Sequence, residues 1–461
     1  MEFPFVGPAV YGEVRTLAAT TVVAPPTGQE GRTKSSVLAT TLIGAHAFEH
    51  LYAHSIPLLA PIILADLGAS ATLGLLIPAI RSIFGGVSST VGGFFVDLYH
   101  HRVAWVLSVS AFSVGLGYLL MSLAPTYFLI LAALSLGSIG SAMWHPPALG
   151  LLARRFPEHR GVFISLHRSM GSLGDAISPL ALGALLGGLV AWEGLFSWDL
   201  PWEPIHWRLI VGFSTVIMFT SSVIILVLLR RAGGDKPEGI DLRERFNTNW
   251  QGMKDAFRGT GMWAIFSVSA IRGMADRSYV FLVPLYLAYL LEQEGYQVLD
   301  PYVVTLLAFH VALMVIPGIF SGPVIGALSD RIGRKSIIVF IMALTTMLTL
   351  ATVMTAQVAQ GYTPWMTLLI AVYGTFNFSV NNLTQAAAAD IAVGRRLESS
   401  FLGLMWGNNT LFGAVAAVLI FFAVEWFGWE LGFYISAAIY FVGLLVSMLI
   451  PNKPQELAQA A

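Results

Sequence analysis

The segment GAHAFEHLYAHS, residues 44–55, sets His46, Glu49, His50 and His54 in an otherwise apolar run. At about 100° per residue, a helix gathers all four within roughly 140° of arc, on one face. One carboxylate among three imidazoles can take up and release protons, because histidine titrates near neutral pH. The charge such a group carries depends on whether water and cations reach it, and both change when a buried face opens. His46, His50 and His54 also have the i, i+4 spacing of zinc ligands. Nothing else in the sequence adds to a metal site, so none is assigned. For each histidine alone, a hydrogen-bonded packing role is the plainer alternative.

Two further stretches carry buried-type charge. In SLHRSMGSLGDAISP, residues 165–179, His167, Gly171, Asp175 and Ser178 share a face, and Arg168 lies close to Asp175 in angle. In SAIRGMADRSY, residues 269–279, Arg272 and Asp276 stand at i, i+4 and can neutralise each other. Arg277 points roughly 140° away from Arg272 and needs a partner elsewhere, such as Asp175, Glu49 or an anionic ligand. Arg81 is alone in its run, with Glu49 as its nearest plausible partner. His145, His310, Asn377, Asn381, Asn382, Gln385, Asn408 and Asn409 add uncharged polar groups. The candidate proton-coupling residues are therefore Glu49, Asp175 and Asp276. The candidate substrate-binding residues are His46, His50, Arg81, His145, Arg168, Arg272, Asn377 and Asn381. Arg81, Arg168, Arg272 and Arg277 outnumber the three acids, which suits an anionic or amphipathic substrate, since arginine grips phosphonate or carboxylate bidentately.

The elements holding these groups must lie in a membrane. Of 461 residues, 56% are hydrophobic and 11% charged, against about 25% charged in soluble proteins. Mean hydropathy is +0.73. A net charge of −1 gives no basic field for nucleic acid. The absence of cysteine removes disulfides, thiolate nucleophiles and cysteine metal sites. A bilayer core needs roughly 20 apolar residues per helix. Twelve such runs are present, near 38–65, 71–96, 104–124, 127–152, 161–190, 207–230, 260–290, 302–329, 335–357, 364–390, 398–424 and 430–450. Residues 1–37 read as a disordered tail without the basic start and apolar core of a secretory signal. Residues 231–259 read as a polar central loop and 451–461 as a second tail. They bound two six-helix bundles, 38–230 and 260–450. If the tails and every second loop share one side, that side holds 20 of the 25 Lys and Arg, so both termini are expected to be cytoplasmic. The fold class expected is all-α, with twelve transmembrane helices in two pseudo-symmetric bundles of a cell (inner/plasma) membrane protein.

GALSDRIGRKS, residues 326–336, and GFFVDLYHHRV, residues 93–103, follow corresponding runs in the two halves. Gly93 matches Gly326, Asp97 matches Asp330 and Arg102 matches Lys335, marking a tandem duplication of six spans. Asp330 can attract a helix N-terminus, and Arg331 or Arg334 can fork onto Asp390. The spacing of Gly326, Asp330, Arg331, Gly333, Arg334 and Lys335 resembles the loop signature of the major facilitator superfamily, over residues 38–450. The first copy departs from it: Leu98, His100 and His101 replace Arg, Gly and Arg. The resemblance implies that Gly93, Asp97, Arg102, the signature loop and Asp390 form a conformational latch, weaker in the N-terminal half. It also implies that spans 1, 4, 7 and 10 line a central cavity and that 3, 6, 9 and 12 face lipid; the last four are the spans that carry no interior charge. Residues 137–179, with Trp144, His145 and Pro146, resemble the fosmidomycin-resistance-like branch, which implies export of a small anionic drug.

The expected function is secondary active transport by alternating access, proton-coupled and directed outward, with an organic anion and protons as partners in a functional monomer. No GxxxxGK[ST] loop or GxSxG elbow occurs and no cofactor is implied, so neither nucleotide hydrolysis nor an enzyme is expected. An uptake symporter or facilitator for an organic anion such as a carboxylate is the alternative.

Overall fold

The computed structural model describes residues 29–98, 100–156, 160–192, 196–230, 232, 242–258, 261–392 and 398–451. The polar stretch 1–28 and the tail 452–461 lie outside them.

The first expected span is two helices, α1 (Gln29–Ala53) and α2 (Ser55–Asp66). Helix α1 begins nine residues earlier than the expected boundary, so 29–37 is helix rather than tail. The break at His54 has a covalent cause. Pro57 has no N–H to give the Ala53 carbonyl, and its ring crowds that carbonyl. The same logic divides the eighth span into α10 and α11. There Pro317 faces the carbonyl of Leu313, where α10 stops.

The chain then runs through α3 (Leu76–Leu98), α4 (Val103–Leu123), α5 (Tyr127–Arg155), α6 (Arg160–Gly187) and α7 (Trp207–Leu229). Between α6 and α7 a hairpin forms from β1 (Leu189–Trp192) and β2 (Phe196–Asp199), antiparallel with Val190 opposite Trp198. It is the one departure from all-α secondary structure among the described residues. The central loop also holds a helix, α8 (Leu242–Phe257), not anticipated from its polar composition. Next come α9 (Met262–Gln293), α10 (Pro301–Leu313), α11 (Ile316–Ile332), α12 (Arg334–Ala359), α13 (Pro364–Ala392), α14 (Glu398–Phe427) and α15 (Trp429–Ser447).

Ten stretches among the described residues are long and apolar enough to cross a membrane. Helices α9 and α13 are not among them, although they span 32 and 29 residues. Both carry the polar groups that lower the count, Arg272, Asp276 and Arg277 in one, Asn377, Asn381 and Asn382 in the other. Those groups are buried or half-buried, apart from exposed Asn382, rather than spread over an outer face.

The halves meet along two seams. In one, α3 lies along α14, with Gly86 against Leu411 and Gly407 against Thr90. Thr72 donates to Glu425 at its end. In the other, Gly183 and Gly187 of α6 abut Ala308, Thr305 and Pro301 of α10. That second seam is packed at the hairpin end. Nine residues of α10 are buried there, against Ile325 and Ser329 alone in α11.

Candidate functional site

Helices α1 and α6 approach closely because α6 presents glycines. A Cβ on Gly171 would meet the His46 ring, and one on Gly174 would run into the Ala47 carbonyl oxygen. Gly174→Ala is therefore expected to push the helices apart and cost about 1–3 kcal/mol, the usual penalty of overpacking. Thermal unfolding in detergent checks this; an unchanged midpoint would show that the seam is looser than drawn here.

This approach assembles the opening motif into a cluster. His50 Nδ1 and His54 Nδ1 both reach Asp175 Oδ1, at 2.7 and 2.6 Å. Although Arg168 lies close to Asp175 in angle, histidines occupy the carboxylate, and Arg168 donates to Gln385 of α13, across the two halves. His167 stacks on His46 with ring centroids 3.7 Å apart. His145 of α5 meets His46 edge-on at 5.1 Å and leans on Trp406 of α14 at 5.3 Å. Glu49 is 2% exposed. Its Oε2 lies 3.6 Å from His50 Nε2 and 3.8 Å from His46 Nδ1, and neither carboxylate oxygen has a hydrogen bond.

Glu49 also borders a small cavity with Arg81, Tyr52, Tyr118, Ser138 and Ser141. Arg81 shares that cavity with Glu49, but among the described residues the two form no ion pair.

The second half contains a different arrangement. Arg272 Nη2 bonds Asp276 Oδ2 at 3.1 Å, as the i, i+4 spacing indicates. Asn377 and Tyr373 donate to Asp276 Oδ1, and Tyr440 donates to Asn377 Oδ1 at 3.3 Å. The Tyr373 and Tyr440 hydroxyls are 2.5 Å apart. Asn377, read from sequence as a substrate group, thus has its amide committed to this network. Asn381 is half-buried nearby, and its carbonyl accepts from Thr384. Arg277 does find its partner outside its own helix, but an uncharged one: Thr410 Oγ1 at 2.9 Å and Asn409 Oδ1 at 3.4 Å. His310 bonds the Leu306 carbonyl and Thr367, the packing role expected of an isolated buried histidine.

Sequence reasoning undervalued Gln385 and missed Trp406, Tyr373 and Tyr440. A tyrosine inside an apolar span signals a network, because its hydroxyl needs a partner when buried.

At the signature loop, Arg334 pairs with Asp330 at 3.2 Å. The residue capping α12 is Gly333, at φ 97°, so Asp330 does not cap that helix. Gly326 and Lys335 are half-buried, and Arg331 and Arg102 exposed. The side chains of residues 93–98 and Asp390 lie outside the described residues, so the latch positions Gly93, Asp97 and Asp390 are located on their helices only.

A sequence family described as the Major Facilitator Superfamily matches residues 48–417 and, separately, 304–461. The aspyridones efflux protein apdF of Emericella nidulans is 23% identical over 331 residues, 71% of this chain. The match spans 58% of that protein's length. A POT family transporter in complex with 5-aminolevulinic acid shares the fold with a TM-score of 0.67 at 13% identity, covering 92% of this chain and 97% of its own. The nucleoside transporter NupG gives 0.65 at 13% identity, over 90% of this chain and 98% of its own. A bacterial homolog to the human lysosomal transporter Spinster, inward-facing and unoccupied, gives 0.62 at 14% identity, over 90% and 93%. At such identities the likeness is one of fold. The family match covers most of the chain, and its apolar helices need a bilayer: this protein belongs to the Major Facilitator Superfamily and is a membrane transporter, not an enzyme.

Proposed function

We propose that the protein exports a small organic anion or amphipathic molecule across a cell membrane in exchange for protons. The observation that carries the substrate class is the state of the arginines. Arg81, Arg168 and Arg277 are half-buried, and among the described residues none pairs with a carboxylate. A buried cation without a counter-charge is costly, and an anionic ligand supplies that charge. Glu49 is the proposed coupling acid, with Asp175 beside it; Asp276 is held too firmly by Arg272, Asn377 and Tyr373 to share that role equally. Export rests on the fosmidomycin-resistance-like segment 137–179 and on the efflux name of the fungal relative. Twelve spans in two six-helix bundles, both termini cytoplasmic and a monomeric state complete the reading.

The test is ligand-induced thermal stabilisation of the purified protein against phosphonates, carboxylates, lipophilic cations, sugars and lysophospholipids. Anionic hits that lose at least about tenfold in affinity, ~1.4 kcal/mol, in Arg277→Gln or Arg168→Gln support the reading. Hits confined to cations or sugars overturn the substrate class.

A further inference from the structure

The cluster on α1, α5 and α6 has a feature that proton exchange alone does not account for. His50 Nδ1 faces the Asp175 carboxylate at 2.7 Å. His145 Nδ1 faces the Ser141 carbonyl at 3.1 Å. Both partners accept only, so each imidazole carries its proton on Nδ1 and, when neutral, a lone pair on Nε2. The His50 lone pair then confronts Glu49 Oε2 at 3.6 Å. His46 Nδ1, His50 Nε2 and both Glu49 oxygens are buried without a hydrogen bond. Acceptors facing one another need a proton or a metal cation between them. The 3.6 and 3.8 Å separations exceed an N–H···O hydrogen bond but approach the edge of a metal tetrahedron, ~3.4 Å for bonds of about 2.0–2.1 Å.

We propose that His46, Glu49, His50 and His145 form a binding site for one divalent transition-metal ion of the zinc class. One ligand atom from each lies within 4.8 Å of the others. Three imidazoles and a carboxylate suit zinc, and also cobalt or iron(II), rather than calcium or magnesium. The Asp175 and Ser141 oxygens hold the rings of His50 and His145 with Nε2 inward, the outer-shell arrangement that metal-bound histidines require. His167 fixes the His46 ring by stacking on it. Between them the three helices bring the donors together with a shift of less than ~1 Å per ligand still needed to close the shell. The proposal goes beyond the transport reading and does not depend on it.

The experiment uses the full chain in detergent, stripped with a chelator and titrated with ZnCl2 against a competing metal dye. One equivalent of zinc per chain is expected, with binding weakened at least tenfold in His145→Ala and in Glu49→Gln. Asp175→Asn, which keeps all four ligands, should weaken it tenfold or more. His206→Ala, at a surface histidine beside Asp66, should leave it unchanged. Cobalt in place of zinc should give the intense visible absorption of a four-coordinate N/O site, and lose it in His145→Ala. Substoichiometric binding, or full binding retained in the His46→Ala/His50→Ala/His145→Ala triple variant, overturns the proposal. If a variant unfolds, Asp175→Asn and the cobalt spectrum of the wild type decide it. Failure of zinc binding leaves anion transport untouched, and absence of anion binding leaves the metal site untouched.

Discussion

Glu49→Gln is expected to abolish pH-driven accumulation of substrate in proteoliposomes while leaving substrate exchange between equal pools intact. A proton moved down a two-unit pH step carries about 2.7 kcal/mol, enough for a roughly hundredfold concentration ratio. Glutamine keeps the shape and hydrogen-bonding reach of the side chain but cannot exchange a proton at neutral pH. The accumulation ratio should fall from up to about 100 to about 1. Glu49 is suited to this because its carboxylate is buried among histidines yet borders a cavity. Its charge is then set by the few groups around it, all of which move when α1 and α6 shift. Retained pH-driven accumulation in Glu49→Gln would remove it as the coupling acid.

Asp276→Ala is expected to destabilise the protein by about 3–5 kcal/mol, because it strands Arg272 inside the C-terminal half. The guanidinium is 6% exposed and its closest charge is the Asp276 carboxylate at 3.1 Å. Asn377 and Tyr373 would lose their shared acceptor at the same time. The double substitution Arg272→Met/Asp276→Leu should recover most of the loss, since an apolar replacement leaves no charge unpaired. Thermal or denaturant unfolding of the three variants reads this directly. Equal stability of wild type and Asp276→Ala would show that water reaches the pair.

The helical architecture was readable because each span must hide its backbone from lipid, and twenty apolar residues leave few other options. The breaks at His54 and after Leu313 were also written in the chain, as Pro57 and Pro317, but an apolar count passes over proline. Individual ion pairs were not legible. Arg168 and Asp175 share a helix and an angle, yet each prefers a partner on another helix, His50 and His54 for the acid and Gln385 for the base. Angular proximity constrains neighbours within one helix only, whereas the partners here were chosen by how α1, α6 and α13 pack. The convergence of His145 on the α1 motif was hidden for the same reason, since about a hundred residues separate them.

The two halves differ in how much hydrogen-bonding capacity they leave over. Around Asp276 a carboxylate, a guanidinium, an amide and two phenols answer one another. Around Glu49 a carboxylate and two imidazoles hold polar atoms that no described group meets. A solute, proton or ion gains free energy from polar contacts only where such capacity is spare, because elsewhere it must first break a bond of equal strength. A proton or ion taken up at Glu49 should reveal itself first in the solvent exchange of α1 and α6 amides.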